Sequence, residues 1–229
     1  MFLINGISFI ISGISISLAK IPKNKTSEIT SQNFISDLTK SLGFIWKLKG
    51  LFYIMILFSI FSFLVHIAVV LLIPLFQFTP GLGAAKYGIA VACFTAGMFL
   101  GMIVLSAMAI HPSKRAALML VSLCISNLCL VLFALTTDFY LMSFLLLIAG
   151  ISESVVNVFI LSSIQSVVPD DMMGKIMGLV GTVTMALIPL AMITGGILAE
   201  FFPIRTIFLV CFLASFVVFE NLFFIPSVR

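Results

Sequence analysis

Glu153 lies inside the run FLLLIAGISESVVNVFILSSI, in which nearly every neighbour is apolar. An ionised carboxylate at bilayer depth costs at least about 2.5 kcal/mol unless water or a partner compensates. Its carboxyl group therefore faces a cavity or a hydrogen-bond partner. Asn157 follows one turn later on nearly the same face, and Ser154 and Gln165 fall within about a third of a turn of it, given about 100° per residue. Such a stripe, directed at the interior of a bundle, suits two chemistries: holding a cationic group of a ligand, or taking up and releasing a proton. It also suits a protonated Glu153 that hydrogen-bonds a neighbouring span. His66, in SFLVHIAVVLL, presents the same choice between a cavity position and a hydrogen bond to another helix.

These residues are positioned by long apolar segments. Of 229 residues, 62% are hydrophobic and only 9% charged, far from the quarter charged residues of a soluble domain. Long apolar runs, set off by charged or turn residues, occupy residues 2–19, 50–76, 87–110, 116–136, 139–167, 175–201 and 205–225. Spans of about 20 apolar residues read as helices, whereas barrel strands would be about 10 residues of alternating polarity. The expected fold is all-α, a polytopic transmembrane bundle of about seven spans.

Ten of the twelve basic residues fall on one side of this arrangement: Lys20, Lys23, Lys25, Lys40, Lys47, Lys49, Lys114, Arg115, Lys175 and Arg229. Only Lys86 and Arg205 fall on the other. Cytoplasmic loops keep the positive charge, so the expected protein is a multi-pass plasma-membrane protein. Its first span starts outside and its C-terminus is cytoplasmic. The net charge of +4 is then a topology signal with lipid headgroups as partner, and it gives no support to nucleic-acid binding. Gln77, Lys86, Asp138, Glu200 and Arg205 are expected at the outer rim, solvated.

Three domains follow: a first span at 1–19, a cytoplasmic linker at 20–49, and a six-helix unit at 50–229. In the linker Phe34, Leu38, Leu42 and Ile45 recur at helical spacing, which predicts an amphipathic helix on the membrane surface with Trp46 near the headgroups. The first span has no positive charge ahead of it, unlike a signal peptide, and reads as an internal span whose upstream partners lie elsewhere.

The stretch NVFILSSIQSVVPDDMMGKIMGLVGTVTMALIPLAMITGGILAE, with Asn157, Gln165, Val168, Pro169, Asp170, Gly174, Lys175, Ile176, Pro189, Leu190, Gly195 and Gly196, resembles the tenth-to-eleventh helix region of macrolide-efflux-like transporters of the major facilitator superfamily. The opening LINGISFIISGISI resembles that family's sixth helix. The resemblance covers the whole chain and implies helices six to twelve of twelve, the C-terminal half. It further implies a secondary transporter that exports small hydrophobic or cationic compounds by alternating access, as an antiporter coupled to protons. A missing or separate N-terminal six-helix half would complete it. A non-transporting remnant or assembly partner is the alternative.

Other residues speak for packing. Gly97 and Gly101 form a GxxxG step, and Ala191, Gly195 and Ala199 a small-residue ladder. Gly196 ends the Gly-rich motif. Pro189 bends its span, as a gate or as a static kink. The four cysteines fall inside apolar runs and read as buried and reduced; their spacing fits no metal or redox motif. No phosphate-binding loop of the GxxxxGK[ST] type occurs, so no cofactor, metal or ATP is expected, and no enzyme motif is recognisable.

Orientation is checked by single cysteines in a cysteine-less background. An impermeant thiol reagent should label Thr137→Cys in intact cells and Ser113→Cys only after permeabilisation; the reverse pattern would invert the topology.

Overall fold

The computed structural model describes residues 2–18, 43, 49–108 and 110–223. The chain forms two compact units, Met1–Lys40 and Ser41–Arg229. In the first, α1 (Phe2–Leu18) is helical and presents large apolar side chains around its circumference, among them Phe9, Ile10 and Ile16. The predicted surface helix with Trp46 lies outside the described residues.

The second unit holds α2 (Lys49–Phe78), α3 (Ala84–Ala107), α4 (Pro112–Leu135), α5 (Phe139–Val167), α6 (Asp170–Phe201) and α7 (Ile204–Phe223). The architecture is all-α, with seven helices among the described residues. Five of them, α2 to α6, contain stretches long and apolar enough to cross a membrane. The apolar stretches described in α1 and α7, Asn5–Leu18 and Ile204–Val218, are shorter.

Helix ends follow local chemistry. Asp138 accepts a hydrogen bond at 2.9 Å from the Leu141 backbone N–H and caps α5. Helix α6 begins five residues before the predicted span, at Asp170, because Pro169 with φ −60° is already shaped to precede a helix. Between α2 and α3 the chain reverses through Gly81 and Gly83, both at positive φ (81° and 114°), where a side chain would be strained.

Helix α5 packs against α3 and α4, α2 packs against α6 and α7, and α4 meets α7. Exchanging α2 with α5, α3 with α6 and α4 with α7 maps these principal pairings onto one another, while the smaller α2–α3 and α6–α7 contacts do not follow it. Since α2 and α5 also run in opposite directions, the unit has the pairing of two inverted three-helix repeats.

The α3/α5 crossing is the closest. A Cβ added to Gly97 would collide with the Leu147 carbonyl oxygen, one on Gly101 with the Ser154 hydroxyl and the Ile151 carbonyl, and one on Gly150 with the Phe94 carbonyl. Backbone rests on backbone here, as small residues allow in a membrane. Gly195 meets Val70 and Ile67 of α2, whereas Gly196 faces open space.

The two basic residues expected as solvated at the rim are instead engaged. Arg205 Nη1 donates to the carbonyls of Ala134 at 3.0 Å and Thr136 at 2.5 Å, closing the end of α4. Lys86 Nζ donates to Gly81 O at 2.6 Å and sits 5.2 Å from the centroid of the Phe139 ring. Rim carbonyls left by helix ends and turns attract these donors more strongly than the sequence pattern reveals. The cysteines also divide: Cys129 and Cys211 are buried, Cys93 is half-buried and Cys124 is exposed.

Substituting Gly150→Leu should destabilise the unit by about 1–3 kcal/mol or more through overpacking, whereas Gly196→Leu should be nearly neutral. Thermal melting in detergent distinguishes them.

Candidate functional site

Two apolar clusters fill the six-helix unit. One contains Leu71, Phe76, Phe133, Met142 and Phe208; the other contains Phe61, Leu123, Val156, Ile164 and Ile176. Polar residues separate them along the helices: Ser62 and His66 on α2, Ser126 and Asn127 on α4, Ser152, Glu153 and Ser154 on α5. Ser215 of α7, beyond Phe212 of the first cluster, joins this belt through Asn127. At 1.5 Å per residue, Glu153 lies roughly 21 Å along α5 from its start, and His66 roughly 18 Å along α2 from its end. Those two helix ends belong to the same face of the bundle, as the contact of Lys86 with Phe139 shows. The belt thus lies near the middle of a hydrocarbon layer of about 30 Å.

Glu153 is half-buried and joins two helices. Its Oε2 accepts from the Ser126 hydroxyl of α4 at 3.4 Å, and its Oε1 from Asn157 Nδ2 at 3.4 Å. Asn157 Nδ2 also donates to the Glu153 backbone carbonyl at 3.0 Å, which aligns the amide along its own helix. Asn157 is exposed. Each carboxyl oxygen therefore has one partner, Ser126 from α4 and Asn157 from its own helix, and of these Asn157 reaches the surface.

The remaining expected site residues separate from it. Ser154, one residue on, is turned about 100° away; it is buried against Gly101 and donates to Ile151 O at 2.7 Å. Gln165 is exposed and twelve residues further along α5, roughly 18 Å from Glu153. His66 bonds within its own helix: Nδ1 lies 2.7 Å from the Ser62 carbonyl oxygen and 3.3 Å from the Ser62 hydroxyl. A carbonyl oxygen only accepts, so in the neutral ring Nδ1 carries the hydrogen and Nε2 is the acceptor. Pro189 is exposed within the continuous helix α6.

Sequence reading passed over Ser126, Asn127 and Ser215. Asn127 Oδ1 accepts from the Ser215 hydroxyl at 2.8 Å, and Asn127 Nδ2 donates to Leu123 O at 3.1 Å. The signal was present as Ser126 and Asn127 side by side in the apolar run of α4, the same anomaly that singled out Glu153.

Among the described residues no group of three or more His, Cys, Asp or Glu side chains is arranged to hold a metal. The belt offers a carboxyl group, an imidazole acceptor and amide and hydroxyl groups at mid-depth, which can hold a hydrogen-bond donor or a cation and can exchange a proton.

A family model described as Major Facilitator Superfamily matches residues 1–192. Comparison with curated proteins and with solved structures gave no match.

The tautomer of His66 is testable by ¹⁵N NMR on histidine-labelled protein with His111 replaced. The expected pattern is a protonated Nδ1 and a bare Nε2; a proton on Nε2 would contradict the Ser62 contact.

Proposed function

The chain belongs to the Major Facilitator Superfamily, a family of membrane transporters, and we propose that it acts in proton-coupled export of small hydrophobic or cationic compounds. The observation that carries this reading is the Glu153 carboxyl group at mid-depth, bonded to the buried Ser126 and to the exposed Asn157. A carboxylate in that place attracts a cation, and protonation removes the attraction. Competition between cargo and proton for one group is enough to couple their movements in opposite directions. His66 Nε2, at similar depth on the repeat-related helix α2, adds an acceptor for a donor group of the cargo.

Alternating access requires a second body against which the six-helix unit rocks. The exposed Asn157 on α5 supports such an arrangement because polar groups at membrane depth need water or protein over them. On α6, Gly174, Gly178 and Gly181 have nothing within 4 Å of an added Cβ, which leaves room for close approach of another helix. We therefore read the cargo path as lying between this unit and a companion six-helix unit. The membrane is the plasma membrane, with the starts of α4 and α6, which carry Lys114, Arg115 and Lys175, on the cytoplasmic side.

In the native host, removing the chain should raise accumulation of a fluorescent lipophilic cation, and a protonophore should erase the difference between strains. Glu153→Gln should cut export about tenfold or more, the equivalent of one charge-assisted contact of about 1.5–3 kcal/mol. Equal accumulation with and without the chain sinks the export reading. Full proton-dependent export by Glu153→Gln sinks the role of Glu153.

A further inference from the structure

Hydroxyl groups on these helices usually bond to a carbonyl of their own helix: Ser59 to Met55 O, Ser143 to Phe139 O, Ser163 to Phe159 O and Thr184 to Val180 O. Ser126 instead donates across to Glu153 Oε2, at 3.4 Å. Ser126 is 1% exposed, so the bond has no water to replace it. Its neighbour Asn127, 4% exposed, is tied in another direction, to Ser215 of α7. Consecutive helical residues point about 100° apart. Whatever fixes the direction of Asn127 therefore fixes that of Ser126.

We propose that Asn127 and Ser215 are positioning residues whose hydrogen bond sets the roll of α4, and thereby holds Ser126 on the Glu153 carboxyl group. A roll of about 10° carries an atom some 5–6 Å from the helix axis through about 1 Å, enough to break a contact already at 3.4 Å. Both bonds join the first set of three helices, α2 to α4, to the second, α5 to α7. The clamp also has a built-in release. The Ser215 hydroxyl has one proton and two acceptors in reach, Asn127 Oδ1 at 2.8 Å and Phe212 O at 2.8 Å. Because Asn127 Nδ2 already serves Leu123 O, the asparagine turns its acceptor to Ser215. On separation of α4 from α7, the hydroxyl falls back on Phe212 O and is not orphaned. Resting on the reading of Glu153 as the transport group, this makes the α4/α7 seam a control on the partner set of Glu153.

Difference infrared spectroscopy of the purified full chain tests the proposal without requiring transport. Subtracting the spectrum of Glu153→Gln isolates the Glu153 carboxyl band in either protonation state. Ser126→Ala should shift that band and Ser126→Thr should keep it. Ser215→Ala and Asn127→Ala should shift it in the same direction as Ser126→Ala, Ser215→Thr should restore it, and Ser143→Ala should leave it at its wild-type position. Should Asn127→Ala fail to fold by circular dichroism, Ser215→Ala decides alone. A band unmoved by Ser215→Ala overturns the proposal. Shifts as expected, in a chain whose Glu153→Gln variant exports normally, would uphold the positioning role and remove only the transport role of Glu153.

Discussion

Hydrogen-bonding groups placed in hydrocarbon must find partners inside the protein, and the six-helix unit is arranged around that requirement. Apolar side chains gain little by associating with each other when the solvent is itself apolar. Sorting of one helix against another then falls to close backbone contact and to a few polar pairs. Interhelical hydrogen bonds in membranes are each worth only about 0.6 kcal/mol on average, so the belt at mid-depth contributes direction more than strength. It tells α4 which way to face. The large apolar clusters on either side, around Phe133 and Phe208 and around Leu123 and Val156, supply the contact area that makes the direction hold.

The same requirement explains the rim. A helix that ends near the membrane surface leaves carbonyl groups without intrahelical donors, and Arg205 fills that need for α4 from the start of α7. In this way α4 and α7 are tied twice, by charge-assisted bonds at one end and by Asn127 and Ser215 in the middle. The repeat-related pairings put this seam where the two halves of the unit meet.

The fold was legible because a spanning helix announces itself locally. Length and continuous apolarity placed the helices, with ends displaced by a few residues where caps such as Pro169 act. Glu153 and Asn157 were legible for the same local reason, since one turn separates them. What sequence could not place were partners contributed by other helices. Ser126 lies 27 residues from Glu153, and Ser215 lies 88 from Asn127; helical periodicity fixes a face, not what lies opposite. Ser154 illustrates the limit from the other side. It adjoins Glu153 in sequence yet belongs to the α3 interface through Gly101. Arg205 and Lys86 were assigned to solvent because charge counts register sides of a membrane and not the carbonyl groups within reach.

The glycine crossing of α3 and α5 bears on how the unit can deform. Most helix pairs touch through side chains, which can change rotamer and let one helix slide or tilt past the other. Gly97, Gly101 and Gly150 leave no such cushion, because the main chains themselves are in contact. Tilting either helix of this pair therefore displaces the other, and Glu153 with it.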